Sequence, residues 1–265
     1  MSERPEPTAV EIVECDTPPE AEVASPRYPA QDGLDLEGVT TGVLRVHIVP
    51  LRANGMAPDT SEEGLEYYRL GFLATYPIDD IELTVSDTYD VSDAQDWVGN
   101  LGALRNLRDS EGPDPEVYYY GMIRPTETIR DFCGGGCTAG IGYVPEGLDG
   151  QWASGRVSMG LAYRDETSLQ TMLHEVGHNH GRNHAPCVPQ GGQIDGVDQN
   201  FPHSNAALGL IGYDIRTDEM IDASRPDIMA YCDDPWFSDY TYSGILEWTR
   251  ALNQTAQSQI IDPNR

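Results

Sequence analysis

Residues 174–184 read HEVGHNHGRNH. The chain holds six histidines, and four of them fall in these eleven positions. His174 and His178 are four apart, so on a helix they project from one face, about one turn apart. Two imidazoles so placed can hold one metal ion. Glu175 follows roughly 100° round the helix, where a carboxylate reaches a metal-bound water without being a ligand. Gly181 suits the left-handed conformation that ends a helix. The chain then turns and brings His184 round as a third ligand. Three neutral imidazoles plus a water describe a catalytic zinc site with one open position. His180 is off the ligand face and reads as a bystander. His47 and His203 have no spacing argument and default to structural roles.

Working outward, "ETSLQTMLHEVGHNHG" predicts a helix ended by Gly181. Upstream, "GVLRVHIVPL" (42–51), "IELTVSD", "VYYYGMIRP" and "GRVSMGLAY" read as strands. "SEEGLEYYRLGFLATYP", with Ser61 as N-cap, and "DAQDWVGNLGALRNLRDSEG" read as helices. A short edge strand is expected over Gly140–Val144. Downstream, "APCVPQGGQIDGVDQNFPHSNAALG" is a long loop, and "YTYSGILEWTRALNQ" an amphipathic helix. The expected fold class is α/β (α+β): a mixed twisted sheet, an active-site helix and a largely irregular C-terminal part. Residues 1–40, rich in Pro and Glu, read as a disordered tether or pro-segment remnant. A catalytic domain is expected over 41–265, with subdomains 41–181 and 182–265.

The chain has 265 residues and a net charge of −28, and all 16 of its basic residues are Arg. Such a surface repels nucleic acid and anionic membranes, and reads first as a solubility or salt-tolerance adaptation. No apolar run is long enough to span a membrane. The N-terminus lacks the basic-then-apolar pattern of a signal peptide, so any leader is absent from this chain. Cys133 and Cys137 flank three glycines, a loop that a disulfide can close. Asp195, Asp198 and Asn200 offer oxygen ligands of the kind calcium takes, but without the EF-hand spacing, so an ordinary polar loop is the preferred reading.

The motif HEVGHNHGRNH resembles the long zinc-binding consensus of the metzincin metallopeptidases. That clan also has a methionine-containing turn beneath the zinc. "PDIMAYC" (226–232) resembles this turn, with Met229 as its methionine, 45 positions after His184. "IMAY" is similar to the astacin and serralysin branches, whose matching tyrosine, here Tyr231, helps stabilise the transition state. "MLHEVGHNHGRNHAPC" and "DIMAYCDDPWFSDYTY" are similar to bacterial secreted metzincins related to the mucin-cleaving enterobacterial protease family.

The resemblance implies a secreted zinc endopeptidase acting on proteins or glycoproteins, mucin-type ones included. Glu175 would be the general base. The residues themselves offer an edge for substrate backbone at Gly140, Ile141, Gly142 and Tyr143, weighed against an ordinary Gly-rich loop. If His184 and the methionine turn converge at the metal, Cys187 and Cys232 meet there and a disulfide staples them. Two bridges suit an oxidising, exported location. Cys15 is then left over; a latency role as a metal-blocking thiolate is weighed against a spare thiol in a tail. The alternative function is a zinc-stabilised module that binds glycoproteins without cutting them. A monomer is the default state.

Overall fold

The computed structural model describes residues 8–10, 12–13, 27–28, 34–36, 40–189 and 192–261; before residue 40 and beyond 253 it describes the backbone alone. The chain divides into two compact units, Met1–Thr40 and Thr41–Arg265. In the first, β1 (Thr8–Val10) pairs antiparallel with β4 (Leu34–Leu36), and β2 (Ile12–Val13) with β3 (Arg27–Tyr28). The tether reading of this segment, and Cys15 with it, falls mostly outside the described residues.

The second unit opens with β5 (Val43–Arg52), a β-branched run placed at the middle of a sheet. Helix α1 (Glu62–Thr75) follows, its N-cap Ser61 accepting from the Gly64 N–H. Then come β6 (Asp80–Val85), β7 (Tyr89–Asp90) and α2 (Trp97–Glu111). Gly112, in the left-handed conformation at φ 58°, ends α2. After β8 (Val117–Ile123) come a short helix α3 (Ile129–Cys133), β9 (Gly140–Gly142) and β10 (Val157–Leu161). The sheet runs β6-β5-β8-β10-β9, with β7 also on β5. All its pairs are parallel except β9 against β10, so the sheet is mixed and the expected α+β class holds.

Period-two alternation divides the core between the two faces. Tyr118, Tyr120 and Met122 of β8 pack with α1 and with α4 (Glu166–Asn179), while Tyr119 and Ile123 pack with α2. On β10, Val157, Met159 and Leu161 face α2. That leaves Ser158 and Gly160 towards α4. A Cβ on Gly160 would lie 2.4 Å from the Tyr120 hydroxyl and 2.7 Å from Thr171. One on Gly142 would lie 2.9 Å from the Glu175 carbonyl. These small residues let α4 lie flush on the sheet edge.

After α4 the chain is mostly irregular, with one addition to the sequence reading. β11 (Gly212–Asp214) and β12 (Glu219–Ile221) form an antiparallel hairpin beyond the expected loop, within the part read as largely irregular. Helix α5 (Asp239–Ile261) closes the chain. Among the described residues no helix is long and apolar enough to cross a membrane. One boundary is corrected: the edge strand stops at Gly142, not Val144. Tyr143 N–H still donates to the Val157 carbonyl at 3.1 Å, but its own carbonyl accepts from the Asn179 side-chain amide at 2.8 Å, and the ladder ends there.

Candidate metal centre

The end of α4 is built from two backbone hydrogen bonds. Gly181 N–H donates to the His178 carbonyl at 2.9 Å, and Arg182 N–H to the Gly177 carbonyl at 3.1 Å. This is a Schellman ending, and Gly181 adopts the positive φ it needs, 72°. The reversal carries His184 back towards the helix. The segment 195–198 then clamps it: His184 N–H donates to Gly196 at 3.1 Å, and Asp198 N–H to the His184 carbonyl at 2.8 Å.

The ligand nitrogens of His174, His178 and His184 lie within 4.8 Å of one another. Each ring is oriented from behind. His174 Nδ1–H donates to the Ile228 carbonyl at 2.7 Å, His178 Nδ1–H to Arg182 at 2.7 Å, and His184 Nδ1–H to Asp195 at 2.5 Å. With the proton fixed on Nδ1, each Nε2 presents a lone pair. Nε2 of His178 and His184 are 3.0 Å apart. Two lone pairs at that distance repel, and a cation between them removes the conflict. The donor set therefore fits a metal that takes imidazole nitrogen, zinc foremost. Burial pushes His174 down to about 4 and lowers His178 and His184 as well. All three are neutral, as ligands must be.

Glu175 is buried, and no donor among the described residues bonds its carboxylate. Burial alone pushes it up to about 8. It borders a cleft of about 570 Å³ together with His174, Thr171, Gly140 and Tyr231. The Tyr231 ring lies 4.7 Å from that of His184, half-exposed at the mouth. Met229 is buried beneath α4, where a Cβ on Gly177 would come within 2.7 Å of its sulfur.

Two of these supports were not anticipated from sequence. Gly177 makes room for Met229; a glycine inside a helical pattern was the available signal. Asp227, fully buried, accepts from Met229 N–H at 2.7 Å and Ser238 N–H at 2.9 Å and so shapes the turn. An Asp after Pro at a turn was its signal.

The disulfides Cys133–Cys137 and Cys187–Cys232 are both formed. Beside the second, Tyr231 N–H donates to the Cys187 carbonyl and Ala185 N–H to the Met229 carbonyl, both at 2.9 Å. The third-ligand loop and the methionine turn are thus joined covalently and by backbone.

At the edge strand, odd-numbered residues of β9 bond towards β10, so Gly140 and Gly142 turn their N–H and C=O groups outward. Ile141 packs into the α2 core instead. Tyr143 lies beyond the strand, its N–H on Val157 and its ring over Arg105. The calcium alternative gains no support. Asp198 accepts from Tyr240 and Asn200, and Asp195 lends its carbonyl to His184. His180 is buried, stacked on Tyr118 at 4.6 Å; His47 meets Thr84, and His203 meets Asp239.

With this geometry in place, residues 144–234 match the family model described as Peptidase M66. The match takes in all three histidines, Glu175, Met229 and Tyr231. It supports a peptidase, and the histidine cluster supports a metal-dependent one. No curated protein matches the chain. One solved structure, titled "Structure of a chaperone-substrate complex", is 15% identical over 80% of this chain with a TM-score of 0.39. The chain spans 34% of that structure's chain, and so distant a likeness carries no argument.

Proposed function

We propose that this chain is a secreted zinc endopeptidase of the metzincin type. The observation that carries the reading is the convergence of three Nδ1-anchored histidines, with His174 and an unbonded, buried Glu175 bordering one cleft. Zinc held by His174, His178 and His184 would supply a Lewis acid and lower the pKa of its water. Glu175 takes the proton of the attacking water and passes it to the leaving amine. Burial holds this carboxylate up near 8, which suits a group that must both take and give a proton. A bound cation acts in the opposite direction. The Tyr231 hydroxyl donates to the developing oxyanion from the cleft mouth.

The free N–H and C=O groups of Gly140 and Gly142 pair with an extended substrate. No Arg lines the cleft among the described residues, so nothing there waits for a terminal carboxylate. This favours cutting within a chain over removing C-terminal residues. The Cys187–Cys232 staple beside the third ligand supports an oxidising, extracellular setting.

The test is digestion of a panel of proteins and glycoproteins. Wild type is expected to cut; Glu175→Gln is expected to lose roughly 10²–10⁴-fold in rate while still binding zinc. Chelation should abolish cutting, and added zinc should restore it. Binding of a glycoprotein without cleavage by wild type would overturn the peptidase in favour of a binding module.

A further inference from the structure

The β11–β12 hairpin exposes apolar side chains that the fold does not use. Tyr213 and Met220 are a directly opposed cross-strand pair, 48% and 69% exposed. Ile211 before the hairpin and Ile215 at its turn are 66% and 63% exposed. Beside them a groove of about 370 Å³ runs between Ile211, Tyr213, Trp236 and Tyr242, floored by Phe237. Isolated exposed apolar residues are ordinary; a contiguous set around a groove marks a binding surface.

The charge on the hairpin that borders the groove is one-sided. Asp218, Glu219 and Asp222 are exposed, and no Arg among the described residues pairs with them. Arg216, the hairpin's one cation, is held by Asp214 at 2.8 Å and Glu166 at 3.8 Å. In a chain of net charge −28, a second copy and an anionic membrane are both repelled from this face. Cleft and groove are linked through the chain. Pro235 lines the cleft and its neighbour Trp236 lines the groove.

We infer that this face docks an apolar, cationic stretch of the protein substrate, outside the cleft in which the bond is cut. The inference rests on the peptidase reading for the identity of the occupant. Apolar contacts come from Ile211 and Tyr213 in the groove and from Met220 beside Tyr213 on the hairpin, and the hairpin's carboxylates select Arg or Lys in the bound stretch. One polypeptide reaches both places by passing the Pro235–Trp236 wall.

The test separates docking from cutting. A fluorescein-labelled peptide alternating leucine and arginine is titrated into the Glu175→Ala protein by fluorescence anisotropy. Binding is expected, weakened by salt and about tenfold weaker in the added double variant Ile211→Ser/Met220→Ser. The same peptide with glutamate for arginine should not bind. In turnover, the double variant of the otherwise unchanged chain should raise KM about tenfold for a substrate carrying the Leu/Arg stretch. It should leave a short peptide spanning only the scissile bond unaffected.

Equal binding of the acidic peptide, or no change on Ile211→Ser/Met220→Ser, overturns the inference. So does a concentration-dependent dimer in sedimentation that the double variant abolishes, which would assign the face to a second copy. Discriminating binding by a protein that cuts nothing would leave the docking face standing and remove the peptidase reading alone.

Discussion

At the scale of single residues, four histidines of one motif have two fates. Three turn Nε2 towards a common point, each held by a carbonyl on Nδ1. His180 turns inward, stacked on Tyr118 and donating to the Val176 carbonyl. Its burial pushes it down to about 4 against an ordinary 6.5. Above pH 6.5 the ring is neutral whether folded or unfolded. Below it the unfolded chain binds the proton first, so stability is lost as pH falls from about 6.5 to about 4. Between pH 7 and pH 5 the loss from this one residue is about 2 kcal/mol. His180→Phe keeps the stacked ring and removes the titration. In chelated protein, its urea midpoint should fall less between those pH values than that of wild type. An equal fall in both would show that His180 titrates normally. The i, i+4 pair and Gly181 were legible in the motif because helix period and left-handed φ are local properties. The carbonyl partners Ile228 and Asp195 were not, since each lies in a distant loop.

At the scale of elements, caps and periodicity carried most of the reading. Ser61 and Gly112 sit at the helix ends where side-chain chemistry asks for them. The β11–β12 hairpin was missed because its strands are three residues each and its turn lacks an Asn-Gly or Asp-Gly signal. Also illegible was how closely α4 approaches the sheet edge. That closeness depends on Gly140, Gly142, Ser158 and Gly160 facing one helix, a juxtaposition only the sheet register creates. Two glycines separate the local from the tertiary effect. Gly102 on α2 has open space where a Cβ would go, so Gly102→Ala should raise stability by about 0.5–1 kcal/mol through helix propensity. A Cβ on Gly142 meets the Glu175 backbone at 2.9 Å, which cannot step aside as a side-chain tip can. Gly142→Ala should lower stability by about 1–3 kcal/mol and depress turnover, because it lifts the helix that carries Glu175. Urea unfolding of both variants and a rate for the second are the measurements; a neutral Gly142→Ala would mean the edge is slack.

At the scale of the whole molecule, the two ends of the site come from parts of the chain with different kinds of order. His174, Glu175 and His178 ride on a helix packed against a sheet. His184, Met229 and Tyr231 sit in loops that Ala185, Ile228, Met229 and Ala230 anchor in the core, in a chain whose charge of −28 favours expansion. Besides that packing, the Asp227 turn, the backbone bonds at Ala185 and Tyr231, and the Cys187–Cys232 bridge hold the loops. That bridge closes a loop with a sequence separation of 45, for which chain entropy gives about 4 kcal/mol. Cys133–Cys137, separated by 4, gives about half as much by the same relation. Replacing Cys187 and Cys232 by serine should therefore lower the melting temperature well beyond the Cys133→Ser/Cys137→Ser pair. It should also free the segment that delivers the third ligand. Zinc would then be held by two helix-borne histidines and a mobile one, and a competing chelator should strip it at a lower concentration. Among the described residues the other pair has no backbone bond to a ligand-bearing loop, although Cys137 borders the same cleft as His174, and it should leave chelator resistance unchanged. Melting curves and zinc release measured on both double variants distinguish a bridge that merely stabilises from one that positions His184. Equal chelator resistance in the two would assign the Cys187–Cys232 bridge to stability alone.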